Sequence, residues 1–226
     1  MQVMRLVQLC LTIVNKKGSS MAYSQHNEEE IIDKYLGNVV NGTYVDIGAG
    51  HATEISNTYG LYLKGWTGLT IDPNGARVCG EGITQIDGHK KYRPNDIHLV
   101  LAVVDYDGEI DMCDVATAES YLGVEYSTIG TRTGAVYPIR KEKCLTVNTL
   151  ISQYPQFADP DFFSLDVETS EDKVLAACDF EKFTPTLMII ENEMRGKDLR
   201  SNWIHFIDPY YDLVATVPGN LVFLRK

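Results

Sequence analysis

Three groups of residues in this sequence have types and spacings suited to chemistry. The first is Asp46, Gly48 and Gly50 in the run VDIGAG. A β-rich stretch that stops in glycines delivers its end to the crevice of an open α/β fold, where ligands bind. Glycines let the backbone turn sharply and approach a ligand closely. The Asp46 carboxylate there can hold a cationic amino group. The second group is Asp72, which closes the next apolar run, GLTIDP. A carboxylate about 20 residues past such a turn can take both hydroxyls of a ribose. Dinucleotide folds share that feature. Here, however, Thr53 stands where the third glycine of G-x-G-x-x-G belongs. A pyrophosphate cradle is disfavoured, and a ligand without phosphates is favoured.

The third group closes two further apolar runs, SLDVE and IIENE, with Asp166, Glu168, Glu191 and Asn192. If both runs are central strands, these side chains face the same crevice as Gly48. A hydroxyl is a weak acid, so its reactions benefit from a general base or from a cation beside the forming alkoxide. Glu168 or Asp166 is the candidate base. Asp166, Glu191 and Asn192 can instead clasp magnesium or manganese through oxygen. Any one of these carboxylates can equally serve only to cap a helix. His51 follows the glycine turn and can face substrate or cofactor. His89, His98 and His205 lack metal spacing and read as surface or core residues.

The elements that must position these residues are legible in outline. NEEEIIDKYL (27–36) reads as a helix, with Ser24 or Asn27 as cap and glutamates in the first turn. GTYVDIGAG (42–50) and GLTIDP (68–73) read as strands, separated by a helix that Ser56 can cap. IHLVLAVVD (97–105) is almost continuously apolar, as expected of a strand buried on both faces of a parallel sheet. A short extra strand is expected in DYDGEIDMCD. Residues 117–134, rich in Gly, Ser and Thr, read as a long loop of the kind that forms lids. AVYPIRKEKCL suits an edge strand because of Pro138, and TVNTLISQY a helix. DFFSLDVE and TLMIIENE are the fourth and fifth core strands, with a Ser170-capped helix, SEDKVLAACDF, between them. A helix near 199–206 precedes two strands joined through Pro218-Gly219, a link tight enough to imply an antiparallel hairpin. Alternation of strands and helices predicts an α/β fold with a mostly parallel sheet.

Composition narrows the classes. With 226 residues the chain suits one domain, assigned here to residues 23–226, with residues 1–22 as an N-terminal extension. The apolar stretch Leu6–Val14 is too short to span a bilayer, so no membrane insertion is expected. A net charge of -11 makes nucleic acid a poor partner. The basic runs Lys90, Lys91, Arg93 and Arg140, Lys141, Lys143 read as solvated loop or strand edge. Five scattered cysteines without C-x-x-C pairs fit reduced thiols in the cytoplasm.

An ordered series of motifs adds to this reading. It runs from YSQHNEEEIIDKYL through YVDIGAG, SNTYGLYLKGWTGLTIDPN, AVVDYDGE and FFSLDVETSEDKVLAACDFEKFTP to IIENE. In this series the chain resembles the FkbM family of S-adenosylmethionine-dependent methyltransferases. The closing hairpin agrees, being a habit of the Rossmann-like class I methyltransferase fold. The resemblance implies O-methyl transfer from S-adenosylmethionine to a hydroxyl, of a sugar or glycan acceptor above all. It implies a cofactor site lined by Asp46, Gly48, Ala49, Gly50 and Asp72, with Gln25, Ser56 and Asn57 at its border. Asp166, Glu168 and Glu191 are then the candidate catalytic residues. The chain departs from the family where glycine often follows D-V-E, since Thr169 stands there. Two alternatives remain, a nicotinamide-dependent oxidoreductase and a non-catalytic glycan-binding protein derived from the family.

Overall fold

A computed structural model describes residues 22–78, 82–115, 126–129, 139–194 and 197–226. The chain enters through helix α1 (Glu28–Leu36), which buries Ile32 and Leu36. Its first turn holds three glutamates, favourable at the positive end of a helix dipole. Asn27 makes no side-chain cap; the Glu28 N–H donates instead to Ser24 Oγ at 3.0 Å. Glu29 reaches back to accept the Tyr23 and Ser24 amides at 2.6 and 2.7 Å.

Strands β1 (Thr43–Ile47), β2 (Thr67–Ile71) and β3 (Ile97–Leu99) pair in parallel, with helix α2 (Tyr59–Leu63) between the first two and α3 (Gln85–Tyr92) between the last two. A side branch follows, made of β4 (Ala102–Val103), β5 (Gly108–Val115), β6 (Tyr126–Ile129) and β7 (Ile139–Leu145). Helix α4 (Val147–Gln153), capped where Thr146 Oγ1 accepts the Thr149 amide at 3.1 Å, leads back to the sheet. There β8 (Phe162–Leu165), α5 (Glu171–Ala176) and β9 (Leu187–Glu191) complete the parallel part. A two-residue ladder, β10 (Glu193–Met194) with β11 (Lys197–Asp198), precedes α6 (Arg200–Ile207). The antiparallel hairpin β12 (Tyr211–Val217) and β13 (Asn220–Arg225) closes the chain. The seven-stranded sheet runs β12-β13-β9-β8-β1-β2-β3, with β13 antiparallel to β9. It is a mixed α/β fold, mostly parallel, with antiparallel C-terminal strands. Among the described residues no helix is long and apolar enough to cross a membrane.

Successive side chains of a strand point to opposite faces, so each strand feeds two cores. Val45, Ile47, Phe163, Leu165, Met188 and Ile190 pack on one face with Trp203. Tyr44, Phe162, Leu187 and Ile189 pack on the other with Ile32, Leu61 and Trp66. Asp46, lying between Val45 and Ile47, belongs to the Tyr44 face. Its register partners are Thr70 on β2 and Ser164 on β8, so a polar row crosses three strands near their carboxyl ends.

Four expectations change. The apolar run 97–105 is not one strand. It breaks after β3, which forms the half-buried sheet edge, and β4 pairs with β7 in a second sheet ordered β4-β7-β5-β6. Periodicity cannot separate one long apolar strand from two short ones. Strand β7 lies between β4 and β5 rather than at an edge; Ala135 to Pro138 fall outside the described residues. Of the loop 117–134, residues 126–129 form β6 against β5, and the rest lies outside the described residues, as do residues 1–21. Ser170 sits at the start of α5 without a side-chain cap, and the helix ends earlier than expected. Helix α3 was not foreseen, because QIDGHKKY is polar and carries a central glycine.

Candidate active site

The glycine turn is anchored from two sides. The Gly48 and Ala49 amides donate to Ile71 O of β2 at 2.8 and 3.1 Å, and the Asp166 amide donates to Ile47 O at 3.0 Å. Gly48 has φ 84, and a Cβ added there would lie 1.6 Å from Asp166 O. Only glycine permits the turn to pack this closely on the end of β8. Asp72 then bridges the two loops. Its Oδ2 accepts the Gly50 amide at 3.1 Å and its Oδ1 the Asn74 amide at 2.7 Å. Burial raises its carboxyl above the usual range. From below, Gln85 Nε2 donates to Gly50 O, which His89 Nε2 approaches at 3.1 Å. Both come from α3, the helix the sequence reading missed.

Asp46 is buried, and its Oδ2 accepts from Thr58 Oγ1 at 2.5 Å. Burial pushes its carboxyl up to about 6, against the opposing pull of Arg93 and of the Thr58 hydrogen bond. Ser56 is buried too, and its Oγ accepts the Tyr59 amide at 3.1 Å, which ties down the start of α2. Asn57 Nδ2 donates to Ser164 Oγ at 3.1 Å, joining the loop after the turn to β8. Asn57 also lines a cavity of about 250 Å³ with Tyr23, Ile32, Asp33 and Lys64, between α1 and α2. Gln25 is exposed in the bend leading to α1. His51 turns inward on its own loop, where Nδ1 accepts the Glu54 amide at 3.1 Å.

Of the acidic strand-end residues the structure brings Asp166 and Glu191 together, and Glu171 joins them. Ligand oxygens of Asp166, Glu191 and Glu171 all lie within 4.8 Å of one another. Glu171, in the first turn of α5, is fully buried and accepts the Val167 amide at 3.0 Å. Burial pushes it up to about 7. Glu191 is driven far up as well, by burial first and then by the Asp166 charge. Asp166 is open to solvent on one side, yet the atoms packed on its other side raise it by desolvation. Two carboxyls this close titrate as a pair, and Glu191 is the partner that holds the proton more tightly. Glu191 Oε2 and Asn192 Oδ1 are buried without a hydrogen-bond partner among the described residues. Nδ2 of Asn192 is engaged by Asp198 at 3.0 Å.

A model of the methyltransferase FkbM domain matches residues 46–210, from within β1 to the residue before β12. The chain belongs to the FkbM methyltransferase family. No curated protein and no solved structure matches it. The match takes in the glycine turn, Asp72 and the whole acidic group of this methyltransferase.

Membership sharpens one departure. Glu168 and Thr169 both have positive φ, at 56 and 83. Where the family often carries glycine, the backbone demands the left-handed region, and a β-branched residue there is strained. The strain sits in the turn that carries Glu168 past Asp166.

One basic run is corrected. Lys90 and Lys91 are exposed, but Arg93 is 1% exposed and lies under the loop that follows the glycine turn. Its Nε donates to Asp96 at 2.8 Å, with both side chains fully buried. A basic residue three positions before an acidic one, after a helix stopped by Pro94, was the available signal. His89 and His98 do lie inside, stacked with ring centroids 3.8 Å apart. Burial lowers them to about 3 and about 4, so both are neutral.

Proposed function

We propose that this FkbM methyltransferase moves a methyl group from S-adenosylmethionine to a hydroxyl, that of a sugar such as a deoxyhexose in a glycan, from a Rossmann-like class I fold. The observation that carries the cofactor reading is the bridge from Gly50 to Asp72 across the end of the parallel strands. The residues fit the cofactor. A Cβ on Gly50 would meet nothing nearer than Gly48 O at 3.9 Å, so the turn leaves room above it. Gln85 Oε1, beside the turn, is buried with no partner among the described residues. Each Asp72 oxygen accepts one amide and keeps a lone pair for a ribose hydroxyl. Asp46 offers charge to the amino-acid end. When bound, S-adenosylmethionine supplies the electrophilic methyl. The sheet order and the closing hairpin support the class I assignment.

The acceptor proton goes to the acidic group. Asp166, Glu168 and Glu191 stand at the ends of β8 and β9, and burial raises Asp166 and Glu191, so carboxyls there bind a proton more tightly than in water. A second reading is favoured by the three carboxylates of Asp166, Glu171 and Glu191 within 4.8 Å, an oxygen-only set suited to magnesium or manganese. We place the enzyme in the cytoplasm, with a sugar or glycan as its partner. The test is transfer of labelled methyl to a panel of deoxysugar glycans, with and without chelator. Turnover that survives chelator and drops about 10²–10⁴-fold in Glu168→Gln supports the base alone. Turnover lost to chelator and restored by metal supports the cation. Near-normal turnover in both Asp166→Asn and Glu168→Gln would move the chemistry elsewhere. A thermal-shift screen in which NAD, not S-adenosylmethionine, raises the melting temperature would overturn the cofactor reading.

A further inference from the structure

The wall behind the glycine turn holds a buried guanidinium that no chemical step above uses. Arg93 Nη2 donates to Thr58 Oγ1 at 2.8 Å and to the Tyr44 hydroxyl at 2.9 Å. A hydroxyl has one proton to give. Thr58 gives its proton to Asp46 Oδ2 and Tyr44 gives its own to Asp96 Oδ2, so both must accept from Arg93. The direction of each relay is thereby set. Asp96 accepts twice more, from the Gly68 amide at 2.8 Å and from the Arg93 Nε–H. One guanidinium thus faces two buried carboxylates, and the charge left over is negative. It rests on Asp46, the carboxylate next to the glycine turn.

We propose that Arg93 is a positioning residue which, through the Thr58 hydroxyl, orients the Asp46 carboxylate and keeps it negative for the cationic amino-acid end of the bound ligand. This rests on reading the crevice as a site for S-adenosylmethionine. The groups that face Asp46 are Arg93 after α3, Asp96 before β3, Thr58 before α2 and Asp166 after β8. Arg93 and Thr58 favour its charged form, and Asp166 and Asp96 oppose it. Loss of either favourable contact moves its protonation to higher pH. Affinity for an ammonium-bearing ligand then fails at higher pH than in the wild type.

The experiment compares two ligands that differ only at that end. Calorimetry on the full chain would follow S-adenosylhomocysteine, which keeps the amino-acid end, and 5′-methylthioadenosine, which lacks it. Wild type, Thr58→Val, Thr58→Ser and Arg93→Lys are measured at several pH values, after a thermal melt shows each folded. Thr58→Val is expected to weaken S-adenosylhomocysteine about tenfold or more, the usual effect of a lost charged hydrogen bond, and 5′-methylthioadenosine less than about twofold. The pH midpoint of S-adenosylhomocysteine binding rises in Thr58→Val and in Arg93→Lys, and Thr58→Ser restores both affinity and midpoint. Equal weakening of the two ligands, or an unmoved midpoint, overturns the relay and leaves the cofactor reading standing. A wild-type chain that binds neither ligand overturns the cofactor reading and the relay with it.

Discussion

Two charged regions meet at the carboxyl ends of the parallel strands, and they are built on opposite terms. Around Arg93 the charges are held by fixed hydrogen bonds. Asp96 pairs with it at 2.8 Å, and Tyr44 and Thr58 pass its hydrogen bonds on to carboxylates. Around Glu191 three carboxyls crowd within 4.8 Å, and among the described residues its Oε2 has no hydrogen-bond partner. The first region is removed from water and the second partly so, and an uncompensated charge away from water is expensive. The first resolves this by setting one guanidinium and its hydrogen-bonded hydroxyls between two carboxylates, so its protons and side chains are held in place. The second resolves it by holding protons, so a small change in its surroundings moves them. A fixed region suits binding, and a region with movable protons suits chemistry at a hydroxyl.

The comparison breaks most severely if Arg93 is removed. Arg93→Met leaves Asp96 and Asp46 buried without their cation, and loss of one partner of a buried pair destabilises by about 3–5 kcal/mol. Urea unfolding would measure it. A loss below about 1 kcal/mol would mean the network is not the rigid half of the pair.

The acidic half predicts the opposite sign with pH. Glu171 rises from 4.5 to about 7 on folding, so the folded state binds more protons in that window. Its stability contribution is complete below 4.5 and is lost as pH climbs through about 7. Glu171→Gln keeps an acceptor for the Val167 amide and removes the titration. Its unfolding free energy is expected to lose up to about 3 kcal/mol of pH dependence across that window. An unchanged slope between wild type and variant would show that Glu171 is not held protonated.

Smaller effects sharpen the boundary between the regions. Asp72→Ala removes the bridge to the Gly50 and Asn74 amides and should weaken S-adenosylmethionine binding by about 1.5–3 kcal/mol in calorimetry. Equal affinity in that variant would take Asp72 out of the site. Thr169→Gly should relieve the left-handed strain beside Glu168 and raise stability by about 1 kcal/mol, read as a higher melting temperature. A lower melting temperature would show that the Thr169 side chain contributes more than its backbone conformation costs.

Much of this was legible before any coordinates. The glycines of VDIGAG, the carboxylate closing β2 and the acids closing β8 and β9 follow from residue type and position along single strands. The hairpin through Pro218-Gly219 follows from a two-residue link. Each is a local property, set within a few residues of chain. Glu171 was read only as part of a helix start. Its place in the acidic group depends on the tertiary approach of the start of α5 to Asp166 and Glu191.

The sequence by itself determined the alternation of strands and helices and the carboxylates carried to the strand ends, because backbone periodicity and turn chemistry act over neighbouring residues. Only the tertiary structure decided which charges are paired. Arg93 finds Thr58 35 residues away and Tyr44 49 residues away, and sequence alone shows neither the contact nor the burial. Burial is a property of the packed sheet and its covering loops, and burial is what turns a basic residue in a polar run into the fixed cation behind Asp46.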